Sequence, residues 1–425
     1  MKLDDVAYGS AVDSETETFD LPYADLRYRV AEPDGLCAQT IRAFGLERLR
    51  GIKQLPYIHT AVPTRMFTRP HVSPTFTHTR WQHSHDVMAI AKQIGHAVGL
   101  DDAQMTHLTV AALSHDVCTV AGGDVIKDID PSAFDEDAAY PRALVGDAWE
   151  DLRQRYALEP ESLTEIINNR GMLGQLLDWA DKIGYVARDV GEYRGFCGIS
   201  SPLTLNDACS INASLQIRPM VCEVWKTLVL KDGQIVSNDP LMLADFLRLR
   251  VLLFRDLYYG RHTQFLRTLV RCIVECLLRR EHILPADLFR WDDAKLESRI
   301  LQHAGIRCAR FQIPHMGYPE VLEYQNENDA NAFASSLHRS GTVFTAACRK
   351  RLLKPRMDLP VLSEGTVLPF EDACPTEAAR IRELAEEEPP VLLFILRDPQ
   401  LNPAFLQDYE RYRESCEPFS VFPSP

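Results

Sequence analysis

Two apolar helical stripes in this chain each carry a histidine on their apolar face, a side chain able to ligate a divalent cation. Val87, Ile90, Ile94 and Ala97/Val98 fall at i, i+3, i+7 and i+10/i+11, and His83 lies one turn before Val87 on the same face. Leu108, Ala112 and His115 fall at i, i+4 and i+7, and Asp116 follows at once. A third helix over about 173–190 places Asp181, Tyr185 and Arg188/Asp189 at i, i+4 and i+7/i+8. Burying these apolar stripes makes a helical bundle with the His115-Asp116 pair inside it. His offers a neutral imidazole nitrogen and Asp a hard anionic oxygen. A mixed site of this kind can hold a water and turn it into a nucleophile at neutral pH.

The bland alternative has weight. A lone histidine on an apolar face is usually a satisfied core residue, and His85-Asp86 is a second dyad. Position separates the two. His115-Asp116 ends the apolar run 110–113, whereas His85 points away from its helix's apolar stripe and reads as structural or supporting.

At 425 residues the chain is long enough for two or three units, or for one large helical enzyme core. The apolar (46%) and charged (25%) fractions are those of an ordinary soluble protein. The longest apolar run, 391–396, is too short to span a bilayer, and the first residues lack the pattern of a signal peptide. The eleven cysteines are scattered without a CxxC pair and read as reduced thiols in a cytoplasmic protein with no membrane partner. A formal charge of −14 argues against general nucleic-acid binding, yet leaves room for a local basic pocket.

The expected fold class is mainly α: an acidic N-terminal arm (1–40), a helical domain (41–305) with a small β-hairpin insertion, and a smaller α/β extension (306–425). The hairpin is expected over 224–230 and 234–236 around Asp232-Gly233. Long helices are expected over 241–259 and 263–281. In the extension an acidic helix (376–388) ends at Pro389-Pro390, before a buried strand at 391–396.

Beyond these patterns the chain resembles the HD-domain phosphohydrolases, and among them the deoxynucleoside triphosphate triphosphohydrolases, which include bacterial dGTPases and the animal dNTPase with a sterile-alpha-motif domain. The resemblance runs in order over about 40–305. Residues 44–55 (FGLERLRGIKQL) are similar to the family's entry segment, 77–84 (THTRWQHS) to its first histidine motif, and 111–116 (AALSHD) to its dyad. Residues 180–189 (ADKIGYVARD) resemble its DK-Y-RD helix, 255–258 (RDLY) its R-x-x-Y, and 277–296 its downstream helices.

Carried over position by position, the resemblance implies one divalent metal ion (Mn, Fe, Mg or Zn) on His83, His115, Asp116 and Asp181. It places Gln54, with Leu55 beside it, and Asp189 at the sugar 3′-hydroxyl. Tyr185 and Tyr258 would wall the deoxyribose, and Arg80 and Lys182 would meet phosphate oxygens. The expected reaction is hydrolysis of a deoxynucleotide substrate to deoxynucleoside and triphosphate, in a homo-oligomer with a possible allosteric nucleotide. The extension is a candidate for regulation or oligomerisation.

One stretch departs from the pattern. Where the triphosphohydrolases place further histidines after the dyad, this chain reads HDVCTVAGGD over 115–124, with Thr119 at the first of them. The sequel is similar to that of HD-type 5′-deoxynucleotidases, in which Asp124 matches a functional Asp and Thr119 falls on the catalytic Glu. Asp124 is therefore a candidate acid or substrate contact, with a helix cap or turn as its structural alternative. The alternative functions are an HD-type 5′-deoxynucleotidase or phosphodiesterase, and a catalytically weak nucleotide sensor.

Overall fold

In the computed structural model the described residues are 18–21, 26–29, 35–57, 78–196, 221–306, 320–338, 343–349, 353, 355–385, 391–397 and 401–415. The fold is mainly α with small sheets. Its first part comprises α1 (Leu36–Phe44), α2 (Arg80–Ala97), α3 (Asp102–Ser114), the single-turn α4 (Asp124–Lys127) and α5 (Glu136–Ala139), α6 (Asp147–Tyr156), α7 (Pro160–Ile167) and α8 (Gly171–Phe196). It continues with α9 (Pro240–Leu252), α10 (Arg261–Arg279), α11 (Pro285–Arg290) and α12 (Asp293–Ala304). The helical part thus opens at Leu36, before position 41.

Local sequence sets where the bundle helices begin. Thr79 and Gln82 form a reciprocal capping box at the start of α2, and Asp101 and Gln104 form another at α3. Each such cap contributes about 1 kcal/mol and leaves few choices for where the first turn lies. The box on α2 puts His83 one turn in from the cap. Val87, Ile90 and Ile94 below it are fully buried, as are Leu108 to Leu113 of α3 except Thr109, which is nearly so. α8 crosses close to α2 at Gly184, where an added Cβ would come 3.3 Å from Val87 Cγ2. That close approach lets Asp181, three residues earlier, reach across to His83.

Two elements differ from expectation. Val221–Thr227 is a 3₁₀ turn, so the hairpin is shorter: β3 (Leu228–Lys231) and β4 (Gln234–Ser237). Val224 and Val221 are buried on the helical core rather than alternating in a ladder. The tight turn is as expected, with Asp232 and Gly233 both at positive φ (51° and 75°). The helix expected over 241–259 is α only to Leu252, and Leu253–Tyr258 continues it with π-helical bonding. A π segment shifts the register of the side chains beyond it and often marks a functional position.

Strands β1 (Thr18–Leu21) and β2 (Leu26–Arg29) pair antiparallel against α2 and α8. The C-terminal elements are β5 (Glu320–Tyr324), α13 (Glu327–His338), β6 (Val343–Arg349), β7 (Pro360–Ser363), β8 (Thr366–Pro369), α14 (Phe370–Ala373), α15 (Pro375–Ala385), β9 (Val391–Arg397) and α16 (Pro403–Ser415). The run 391–396 forms the fully buried central strand of a β5-β9-β6 antiparallel sheet. β7–β8 instead join β3–β4 through a parallel bridge between Ser237 and Val361. Met357, Leu359, Val361, Phe370 and Ile381 lie in the same apolar cluster as the core residues of α2, α3 and α8. Among the described residues no helix is long and apolar enough to cross a membrane.

Candidate metal centre

Helices α2, α3 and α8 bring His83, His115 and Asp181 together. His83 Nε2 on α2 lies 2.9 Å from Asp181 Oδ1 on α8 and 3.4 Å from His115 Nε2. His115 occupies the C-cap of α3, and its Nε2 lies 3.9 Å from Asp181 Oδ1. The ligand atoms of His83, His115 and Asp181 all fall within 4.8 Å of one another. Asp116 Oδ2 stands alongside, 3.5 Å from His115 Nε2 and 3.9 Å from His83 Nε2.

These spacings suit a cation. With bonds of about 2.1 Å, ligand atoms sit about 3.0 Å apart at octahedral edges and about 3.4 Å apart at tetrahedral ones. His115 Nδ1 is 2.9 Å from the Ala112 carbonyl, which selects the tautomer that donates there and leaves the Nε2 lone pair facing the group. Asp116 Oδ2 is buried and has no hydrogen-bond partner among the described residues. An orphaned carboxylate oxygen facing two imidazole nitrogens fits a cation, because a buried acceptor without a donor favours a positive partner.

The charges around it agree. Burial works against ionising Asp116, but Arg80 and the two imidazoles outweigh it and hold the carboxyl well below the usual carboxylate range. Burial likewise raises Asp181, and the hydrogen bond and charge of His83 reverse the shift. His115 is pushed down by burial and more strongly up by Asp116 and Asp181.

Arg80, expected to meet phosphate oxygens, stands between two carboxylates. It is buried, its Nη1 donates to Asp116 Oδ1 at 2.8 Å, and its Nη2 reaches Asp124 Oδ1 at 3.3 Å. Asp124 is neither N-cap nor loop: it is the first residue of α4, after Gly123 as cap, and its side chain is half-exposed. Thr119 Oγ1 donates to the same Asp116 oxygen at 3.2 Å. The structure thus brings Arg80, Asp116, Thr119 and Asp124 into one hydrogen-bonded row beside the ligand group.

A second cluster lies along α8. Asp189 is buried, its Oδ2 accepting from Tyr258 and its Oδ1 3.0 Å from His78 Nε2. Tyr185 and Tyr258 pack edge to face with centroids 6.4 Å apart. Gln54 is buried, with Oε1 lacking a hydrogen-bond partner among the described residues, and Leu55 is half-buried next to it. Lys182 pairs with Asp178 one turn back, and burial pushes its ammonium down in spite of that partner.

Three residues with no role assigned from sequence join these clusters. His78 contacts Asp189, and Arg250 donates to the Tyr185 hydroxyl with its guanidinium 5.3 Å from the Phe254 ring. Glu136 of α5 is raised by burial and by Asp124. Arg250 was findable: with Arg248 it interrupts the apolar residues of 247–253, and an arginine so placed needs an internal partner. Glu136 carries no such signal. His85, as expected, is structural, with Nδ1 2.8 Å from the Trp81 carbonyl, but it is fully buried because α2 is enclosed on more than one face.

No protein-family model matches the chain. No curated protein matches it in sequence. Solved structures do share its fold. A hypothetical protein from Aquifex aeolicus aligns over 95% of this chain and 100% of its own, with 17% identity and a TM-score of 0.60. A phosphohydrolase from Bacteroides thetaiotaomicron aligns over 90% of this chain and 100% of its own, with 15% identity and a TM-score of 0.62. The chain therefore has a fold that a phosphohydrolase also uses.

Proposed function

We propose that this protein is a metal-dependent phosphohydrolase that cleaves deoxynucleoside triphosphates to deoxynucleoside and triphosphate. The observation that carries the reading is the cluster of His83, His115 and Asp181, with the unpartnered Oδ2 of Asp116 facing its two imidazoles. A divalent cation held by these four residues supplies Lewis acidity and lowers the pKa of water. The set of two imidazoles and two carboxylates suits Mn, Fe, Mg or Zn.

The remaining residues take roles that fit a nucleotide. Gln54 Oε1, buried and unpartnered, accepts from a sugar hydroxyl; Asp189 stands in the same region with Tyr258 on one oxygen. Tyr185 and Tyr258 form a wall that excludes a 2′-hydroxyl by contact. Lys182 and Arg250 supply the cations that a polyphosphate requires. Arg80 orients Asp116 and Asp124 and borders the scissile phosphate. In the reaction a water oxygen forms the new bond to the α-phosphorus, the bond to O5′ breaks, and O5′ takes a proton.

One observation favours a second reading. Thr119 spends its hydroxyl on Asp116, and it stands where a proton-donating side chain is expected, while Asp124 is present in the position that the 5′-deoxynucleotidases use. That arrangement supports release of orthophosphate from a monophosphate. Incubating the purified protein with each nucleotide and Mn²⁺, Mg²⁺ or Co²⁺ and identifying the products decides between them. Triphosphate with deoxynucleoside is expected. Orthophosphate from deoxynucleoside monophosphates transfers the assignment to the nucleotidase reading, and tight binding with no turnover under any metal supports a sensor.

A further inference from the structure

We infer that Arg48 and Asp293 are positioning residues that together fix the turn joining Asp116 to Asp124 against the metal group. They work as two halves of a clamp on backbone groups. Arg48, in the 3₁₀ turn Leu46–Gly51, donates from Nη2 to the carbonyls of Val117 (2.9 Å) and Thr119 (2.7 Å), and from Nη1 to that of Trp291 (3.1 Å). Asp293, at the start of α12, accepts from the amide of Gly122 on Oδ1 and from that of Lys53 on Oδ2, each at 2.8 Å.

Asp293 is not needed to cap its helix, since Asp292 does that by accepting from the Lys295 amide at 2.8 Å. Its carboxylate is buried and is spent on two chain segments far away in sequence. Gly122 adopts φ +81°, and a Cβ there would come 2.7 Å from Ile126 Cγ1 and 2.9 Å from Leu296 Cδ2, so the turn has one shape. The Ala121 amide adds a bond to the Leu288 carbonyl at 2.9 Å.

The clamp's reach gives it a catalytic consequence. Lys53 forms a bridge with Thr79, next to Arg80, and the Arg80 amide donates to the Ile52 carbonyl at 2.8 Å. Asp293 thus ties the segment that starts α2 to the turn that ends in Asp124. Arg80, Asp116 and Asp124 keep their register because both ends are held. Of the ligand group, His83 on α2 and Asp181 on α8 lie outside the clamped turn, and Asp116 lies at its start.

The inference rests on the phosphohydrolase reading only for its kinetic readout. The test is amide exchange at Lys53 and Gly122, with metal content, kcat and KM, in Asp293→Asn, Arg48→Lys and the control Glu297→Gln, one turn along α12. Asparagine keeps one acceptor and sets a donor against the other amide. Lysine cannot span three carbonyls as a fork does. Both are expected to exchange faster at those amides and to keep one metal, with kcat falling by about 10²-fold for D293N, the order of loss that a 1 Å misplacement causes. R48K should lose less, and E297Q should match wild type in both readouts. Unchanged exchange in both variants, or wild-type kcat despite faster exchange, overturns the inference. If D293N does not fold, R48K decides. If the wild type turns over no nucleotide, the functional reading falls and amide exchange alone decides the clamp.

Discussion

His85-Asp86 and His115-Asp116 are the same two letters within one bundle, and their surroundings give them opposite chemistry. Asp86 is fully buried and receives both oxygens' worth of donors from Arg188, at 2.8 and 2.6 Å. His85 lies mid-helix with Nδ1 on the Trp81 carbonyl. Asp116 has one oxygen taken by Arg80 and Thr119 and the other left open toward two imidazoles. His115 sits at a helix end, where its ring can turn Nε2 outward. A dyad becomes a ligand set when its neighbours leave lone pairs unspent, and a structural pair when they do not.

The largest effect that sharpens this contrast belongs to the open dyad. His115→Ala or Asp181→Ala is expected to remove the metal and to lower turnover by at least about 10³-fold, a loss of several kcal/mol of transition-state stabilisation. Steady-state kinetics with metal analysis checks it, and near-normal turnover in either variant breaks the contrast.

The closed dyad should behave in reverse. Asp86→Ala removes both carboxylate acceptors from the Arg188 guanidinium and is expected to cost about 3–5 kcal/mol of stability, the usual result of breaking a buried pair from one side. Metal content of the folded fraction should stay at the wild-type level. Urea unfolding with elemental analysis separates the two quantities.

A smaller and pH-dependent effect tests the charge that links the open dyad to Asp124. Asp116 is depressed in the folded state, so its ion pair stabilises above the unfolded carboxyl pKa, about 4, and the stabilisation is lost as pH falls through the folded value. In metal-stripped protein, Arg80→Gln should therefore lower stability by about 2–3 kcal/mol at pH 7. The gap to wild type should narrow below about pH 4. A gap that is constant with pH, followed by thermal unfolding, removes Asp116 as the partner that matters.

The smallest effect concerns Thr119. Thr119→Val removes one hydrogen bond to Asp116 and should cost about 0.5–1.5 kcal/mol. Turnover should change by less than about tenfold. A much larger kinetic loss would show that the Thr119 hydroxyl acts on substrate.

The ligand group was legible because helical periodicity is local: His83, Val87 and Ile90 need only the 3.6-residue repeat to share a face. The 391–396 strand is legible because its apolar run is equally local. What was not legible depends on register between distant segments. Nothing in 224–237 announces that β4 meets β7 more than a hundred residues on, or that 221–227 coils instead of extending. The reach of Arg80 across 44 residues to Asp124, and of Asp293 across 171 to Gly122, comes from packing that only the folded chain supplies. The resemblance implied a ligand set that includes the clustered His83, His115 and Asp181; it did not tell that Arg80 donates to Asp116 and Asp124.

Metal stoichiometry across the two dyads tests the central claim most directly. Elemental analysis of purified protein, after loading with Mn²⁺ and removal of excess, is expected to give one metal per chain in the wild type and in the folded fraction of D86A, and none in H115A or D181A. Metal retained in H115A and D181A, or lost equally in D86A, would contradict a centre built on His83, His115, Asp116 and Asp181.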